Sequence, residues 1–127
     1  MSKEISIKDM LIPSMGRAFK HIHILGCKRL ASSGLTLKQF ILLEHVRDKS
    51  LPQCDLAIIT DRDKGSLTRL IQSLERKKFV KRTVAEHDKR VNLVEATAAG
   101  QAVLKAAYPI MTDTFEELTR GISPQEL

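Results

Sequence analysis

The chain has 127 residues, of which 43% are hydrophobic and 28% are charged, so it fits a single folded domain with a small core. It has no Trp and only one Tyr, which argues against a base-stacking platform for single-stranded nucleic acid. A formal charge of +6 and a pI of about 9.6 favour a polyanionic partner.

An apolar pattern with helical spacing predicts a first helix over residues 5–30. Its apolar positions are Ile7, Leu11, Met15, Ala18, Phe19, Ile22 and Leu25. Pro13 is expected near the start of this helix or at a bend in it, because proline lacks a backbone donor and its ring clashes with the preceding turn. A domain this small cannot cover all of these side chains. We therefore expect either a partner subunit or an extended core to cover them.

Two capping residues and one first-turn proline mark the starts of the next three helices. Thr36 begins the second helix, and Gln39 stands three residues later as the partner of a capping box. Pro52 is placed in the first turn of a short third helix, where its missing donor is tolerated. After a turn at residues 60–62, Asp63 caps the fourth helix. The apolar face of that helix is predicted to comprise Leu67, Leu70, Ile71 and Leu74.

Two strands follow the fourth helix, over residues 81–85 and 90–95, and the turn at residues 86–89 joins them into a hairpin. Thr97 caps a fifth, Ala-rich helix. Residues 123–126 then carry an N-cap Ser, a first-turn Pro and a Glu placed for a capping box. These are signals that start a helix, so we expect a sixth helix that continues beyond the end of this sequence.

A short helix, a tight turn, a second helix and a basic hairpin form, in that order, a winged helix-turn-helix. A helix fits the major groove, the preceding helix braces it, and a basic hairpin can reach the minor groove. Residues 60–92 carry ten Lys or Arg and five Asp or Glu, whereas residues 93–127 carry two and five. The sequence thus predicts a mainly α-helical fold with a small β-hairpin and a local site for a polyanion. A solvated charged face is the alternative.

Three stretches, in this order, resemble the MarR family of bacterial transcription regulators. The family's second helix is matched by Gly34-Leu35-Thr36-Leu37-Lys38-Gln39-Phe40, followed by Leu42 and Leu43. Its recognition helix is matched by Asp63-Lys64-Gly65-Ser66-Leu67-Thr68-Arg69-Leu70. Its wing and fifth helix are matched by Asp88-Lys89-Arg90, followed by Thr97 and Gly100. The family usually has Gly in the turn before the recognition helix, and here Asp61 stands there, a residue that tolerates left-handed geometry.

The resemblance implies one domain over residues 1–127, with the winged helix-turn-helix at about 36–96 and dimerisation helices at about 5–30 and 97–127. The implied function is a sequence-specific transcription regulator that binds double-stranded DNA as a homodimer. Its two recognition helices would meet successive major grooves about 34 Å apart on a near-palindrome. Repression is the commoner outcome in the family. A small, often aromatic or phenolic, effector would release the DNA by binding between the dimer helices and the DNA-binding lobe.

The resemblance also assigns roles to individual residues. Arg90 enters the minor groove, and Asp88 orients it through an i, i+2 pairing, the alternative being a pair that only closes a surface turn. Lys64 and Lys89 are predicted to bind phosphates. Contacts to bases or phosphates are predicted for Ser66, Thr68 and Arg69, with an ion pair inside the domain as the alternative for Arg69.

Few other residues suggest chemistry. His23 and Cys27 are spaced i, i+4 on the first helix and His21 faces away, so two ligands at most would meet, and we expect ordinary helix residues rather than a metal site. Oxidant sensing by Cys27, known among relatives, is an alternative function. Cys54 is expected to pack. The sequence contains no Ser/His/Asp set, phosphate loop or paired carboxylates, so we expect neither an enzyme nor a cofactor.

A second alternative is a winged helix used for protein contacts, in which the basic residues serve only solubility. The two cysteines are isolated, the first residues lack a signal-peptide pattern, and no apolar run has the length of a membrane span. These features predict a cytoplasmic protein with reduced thiols.

Overall fold

The computed structural model of the chain describes residues 7–119, with side chains described for residues 14–117. Within this range five α-helices and three strands follow in the order α1 (Ile7–Leu30), α2 (Leu37–Val46), β1 (Leu51–Pro52), α3 (Gln53–Ile59), α4 (Lys64–Arg76), β2 (Val80–Ala85), β3 (Asp88–Ala96) and α5 (Ala98–Thr119). The predicted fold class, mainly helical with a small hairpin, is confirmed. The sixth helix predicted from residue 123 lies outside the described residues.

Side-chain caps set the starts of two helices as predicted. The Thr36 hydroxyl accepts from the Gln39 backbone N–H (3.2 Å), and the Thr36 backbone N–H donates to the Gln39 amide oxygen (3.1 Å), which completes the capping box of α2. The Asp63 carboxylate accepts from the Ser66 backbone N–H at 3.0 Å and caps α4. This hydrogen bond is the main reason why the pKa of Asp63 lies below its ordinary value of 3.8.

The sheet contains three antiparallel strands in the order β1-β3-β2. The predicted hairpin is present as β2 and β3, but β1 was not predicted. In β1, Leu51 pairs with Val94 and Pro52 pairs with Leu93. Pro52 therefore has extended geometry (φ −59°, ψ 142°) and precedes α3, so its predicted place inside the first turn of that helix was wrong. The pairing with β3 holds this residue in the sheet, where proline is tolerated on an edge strand.

One core joins the helices to the sheet. Its fully buried side chains include Leu30, Leu42, Leu43, Val46, Leu56, Leu67, Ile71, Leu74, Val94 and Leu104. The predicted inner face of α4 is confirmed, with Leu70 half-buried at its edge. On α3 Leu56 is fully buried and Ala57 packs partly against the core, whereas Ile58 and Ile59 are exposed. Helix α4 is thus fixed along its whole inner side.

Helices α1 and α5 lie against each other and leave an apolar surface open. Arg29 on α1 donates to the Thr114 hydroxyl (3.2 Å) and forms an ion pair with Glu117, both on α5. Large apolar side chains of the same two helices remain exposed in this protomer: Met15, Phe19 and Ile24 on α1, and Phe115 on α5. This agrees with the expectation that the first helix has more apolar surface than one chain covers.

The junction between α4, the hairpin and α5 is closely built. After α4 the backbone passes through Lys78 with a left-handed φ of 64°, while the Phe79 N–H bonds to the Leu74 carbonyl (3.0 Å). The Thr97 hydroxyl donates to the Lys78 carbonyl (2.7 Å) and accepts from the Gly100 N–H (3.0 Å), which confirms Thr97 as the cap of α5. These contacts fix the base of the hairpin relative to both helices.

Candidate nucleic-acid interface

The first turns of α4 carry four of the predicted DNA-binding residues. Lys64 and Arg69 are exposed, and Ser66 and Thr68 are half-exposed. Arg69 forms no ion pair with any residue that the structure describes, so the alternative of an internal salt bridge is not observed there. Its charge still acts on Asp63, whose pKa it helps to lower. The turn before α4 passes through Asp61 with φ 50°, the left-handed geometry that the sequence predicted.

The structure adds to this surface two residues that were not predicted from the sequence. Arg62 Nη1 donates to the Ser66 hydroxyl at 3.1 Å, and Gln53 Nε2 donates to the Thr68 hydroxyl at 3.1 Å. The i, i+4 spacing of Arg62 and Ser66 is a signal that the sequence contains. The contact between Gln53 on α3 and Thr68 on α4 joins residues 15 positions apart in the chain, so no local sequence pattern predicts it.

The wing tip is organised around Asp88. Its Oδ1 accepts from the Arg90 backbone N–H (3.0 Å) and from Arg90 Nε (3.2 Å), and its Oδ2 accepts from Arg90 Nη2 (3.4 Å). Two kinds of hydrogen bond hold the pKa of Asp88 below its ordinary value of 3.8. The larger effect comes from the Arg90 side chain and the smaller from the Arg90 backbone N–H. The predicted i, i+2 pairing therefore exists. The Arg90 side chain nevertheless stays 92% exposed, so the pair orients the guanidinium without burying it.

Further polar contacts join the two strands of the hairpin and connect the hairpin and the segment before α2 to α4. Arg82 on β2 pairs with Glu75 on α4 at 2.9 Å, and Lys81 pairs with Glu95 across the hairpin at 3.1 Å. Lys77 donates to the Gly34 carbonyl before α2 at 2.6 Å. These three exposed cations have partners within the domain, as Arg90 has in Asp88, whereas no ion pair to Lys64 or Lys89 occurs among the residues that the structure describes.

An open cavity of about 390 Å³ lies between α3, α4 and β3. Its lining includes Gln53, Cys54, Lys64, Leu67 and Arg90. The structure thus brings two predicted DNA-binding residues, Lys64 of α4 and Arg90 of the wing, to the same concave surface. A second cavity of about 260 Å³, lined in part by Cys27 and Lys77, lies between the end of α1, the start of α2 and the end of α4.

The histidine and cysteine residues of α1 form a pair and not a cluster. The Cys27 sulfur lies 3.9 Å from His23 Nε2, as the i, i+4 spacing suggested. Among the residues described, no group of three or more His, Cys, Asp or Glu is placed to hold a metal ion. Cys54 is exposed at the start of α3, so the prediction that it packs was wrong. Between residues 7 and 119, no helix has the length and apolarity needed to cross a membrane.

Comparison with known proteins gives this arrangement a family. A sequence model of the MarR family matches residues 33–91. The transcriptional regulator HosA of Escherichia coli O127:H6 is 31% identical, over 72% of this chain and 69% of HosA. The HTH-type transcriptional regulator MhqR of Bacillus subtilis is 27% identical, over 98% of this chain and 85% of MhqR.

The fold agrees with the sequence comparison. A cysteine-to-serine variant of E. coli MarR, solved in complex with operator DNA, superimposes with a TM-score of 0.84 and is 25% identical over 95% of this chain and 90% of that one. The family match spans the helix-turn-helix and the wing as far as residue 91, and the structural match covers nearly all of the chain. The chain therefore belongs to the MarR family of transcription regulators.

Proposed function

We propose that this protein, by its family a DNA-binding transcription regulator, binds a near-palindromic operator as a homodimer. In each protomer α4 lies in the major groove and Arg90 in the adjacent minor groove. The observation that carries this proposal is the oriented and exposed guanidinium of Arg90, held by Asp88 beside the basic first turn of α4. A narrow minor groove concentrates negative potential and attracts such a side chain. The similar MarR protein, solved in complex with operator DNA, supports DNA binding by a protein of this fold.

The proposed dimer uses α1 and α5. Their exposed apolar side chains, among them Phe19 at 75% exposure, form a surface of the kind that subunit interfaces cover. A two-fold axis there would present two recognition helices to successive major grooves, about 34 Å apart. The proposed location is the cytoplasm, because the proposed target is genomic DNA.

We further propose that the protein represses transcription and that a small aromatic or phenolic effector releases it from DNA. The cavity of about 390 Å³ supports such regulation, because Lys64 and Arg90 line it and are also proposed DNA ligands. The smaller cavity beside Cys27 lies nearer the position that the family resemblance implied. A panel of phenolic and aromatic acids, added to a preformed complex with duplex DNA, would test this part. Complexes that all such compounds leave intact would contradict it.

Selection of bound duplexes from a random pool tests the main proposal. The expected result is an enriched near-palindrome whose half-sites lie about one helical turn apart, roughly 10 bp between centres. A winged helix used only for protein contacts predicts no enriched sequence. A pool that remains random after selection would therefore overturn the proposed function.

A further inference from the structure

The hydroxyl groups of α4 differ in whether their proton is already donated to an acceptor within the protein. The helix contains three: Ser66, Thr68 and Ser73. A hydroxyl has one proton and two lone pairs, a backbone carbonyl can only accept, and guanidinium or amide N–H groups can only donate. The partners of each hydroxyl therefore determine whether its proton is already in use.

The hydroxyl protons of Thr68 and Ser73 are both donated to backbone carbonyls of α4 itself. The Thr68 hydroxyl donates to the Lys64 carbonyl at 2.8 Å and accepts from Gln53 Nε2 at 3.1 Å. The Ser73 hydroxyl donates to the Leu70 carbonyl at 2.6 Å and accepts from Gln39 Nε2 at 3.0 Å. Each joins α4 to another helix, and neither has a proton left to give to DNA.

Ser66 has the opposite arrangement. Its hydroxyl accepts from Arg62 Nη1 at 3.1 Å, and since a guanidinium cannot accept, this contact leaves the Ser66 proton free. Within the described part of the chain this hydroxyl donates to no acceptor. Asp63 Oδ2 holds the backbone N–H of the same residue at 3.0 Å, so the start of α4 fixes its position. The side chain lies half-exposed in the first turn, the end of a recognition helix that contacts base edges.

We propose that Ser66 reads one base of the operator as a hydrogen-bond donor, and that Arg62 is the positioning residue that fixes this polarity. The inference rests on the proposed function, because it requires α4 in the major groove. A hydroxyl that accepts from a cation is a better donor and a poorer acceptor, because neighbouring hydrogen bonds polarise one another. In the major groove guanine, adenine and thymine present acceptors, whereas cytosine presents only its amino donor. Ser66 would therefore discriminate against cytosine at the base it contacts.

The test compares base preferences of purified variants after selection from a random duplex pool. Wild type is expected to disfavour cytosine at one position of each half-site. Ser66→Ala should lose about 3- to 10-fold of discrimination at that position and keep the preferences elsewhere, a change typical of one hydrogen bond. Ser73→Ala is the matched control, because it removes a hydroxyl of the same helix whose proton is used internally.

Two substitutions at Arg62 test whether this residue fixes Ser66 as a hydrogen-bond donor or only contributes positive charge. Arg62→Lys keeps a cation that can only donate, so cytosine should remain disfavoured. Arg62→Met removes the donor, frees Ser66 to accept, and should admit cytosine at the same position. A merely structural role for Arg62 would lower affinity for all sequences alike. Thermal unfolding of each variant identifies any that fail to fold, and the two Arg62 variants then test the polarity independently of Ser66→Ala.

The outcomes distinguish this inference from the function on which it rests. A wild-type protein that selects no duplex would overturn both. A wild-type preference that Ser66→Ala leaves unchanged at every position would overturn the role of Ser66 alone. A Ser66-dependent preference that Arg62→Met leaves unchanged would overturn the role of Arg62.

Discussion

At the wing tip one carboxylate, that of Asp88, accepts from both the backbone and the side chain of Arg90. The arginine is thereby oriented before any DNA is present, so less side-chain freedom has to be lost on binding. Such preorganisation could be predicted from sequence, because the i, i+2 spacing lies within one turn of chain. The contact from Gln53 to Thr68 could not, because it depends on how two separate helices are placed.

Replacing Arg90 tests the wing directly. Arg90→Ala is expected to weaken duplex binding by ~1–3 kcal/mol, because it removes the proposed minor-groove contact. Fluorescence anisotropy with the selected duplex measures the loss. Lys105→Ala, at an exposed cation on α5, is the control and should leave affinity nearly unchanged. Equal affinities for Arg90→Ala and wild type would show that the wing does not contact DNA as proposed.

At the scale of elements, the helices with strong caps could be predicted closely, since Thr36 and Asp63 act within one turn of the residues they cap. The strand β1 could not be predicted. It is two residues long, contains Pro52, and exists only because Leu93 and Val94 lie beside it in the folded chain. So short a segment has no hydrophobic period, and its pairing is set by tertiary structure.

Gly100 tests the junction between α5 and the base of the wing. A Cβ at this position would lie 2.0 Å from the Phe79 carbonyl oxygen, and a backbone atom cannot move aside cheaply. Gly100→Ala is expected to lower the free energy of unfolding by at least ~2 kcal/mol, as for severe overpacking. Gly65→Ala on α4 makes only ordinary contacts, so it should stabilise the helix slightly. Urea denaturation compares the two, and an equally stable Gly100→Ala would contradict the close contact.

Tyr108 connects α5 to α2. Its hydroxyl donates to the Glu44 carboxylate and accepts from the Arg47 guanidinium. Burial raises the pKa of Tyr108 above its ordinary value of 10.0, and the hydrogen bond to Glu44 acts in the same direction, while Arg47 opposes both. The folded state therefore holds the phenol proton more tightly than the unfolded chain does.

This difference predicts a dependence of stability on pH. A raised folded pKa contributes stability that is complete below the unfolded pKa, near 10, and is lost as the pH rises through the folded value. Above about pH 10 the free energy of unfolding should fall more steeply for wild type than for Tyr108→Phe. Urea denaturation across this range provides the measurement. Parallel curves for the two proteins would contradict the proposed state of Tyr108.

At the scale of the whole molecule, α1 and α5 are joined to each other and together present an apolar surface. Arg29 ties α1 to α5 through Thr114 and Glu117, while the apolar side chains of both helices stay exposed in one protomer. The sequence indicated this excess of apolar surface, but the geometry of a dimer depends on a second chain. The proposed spacing of the two recognition helices therefore follows from the family and the two-fold arrangement and not from local sequence.

The dependence of duplex binding on salt tests the central claim most directly. If Lys64, Arg69 and Lys89 of both protomers contact phosphates, six contacts predict a slope of about −5 when log affinity is plotted against log salt concentration. The selected duplex should therefore be bound tightly at low salt and lose several orders of magnitude in affinity as salt is raised. A slope near zero would contradict the account, because basic residues that serve only solubility release no counterions from DNA.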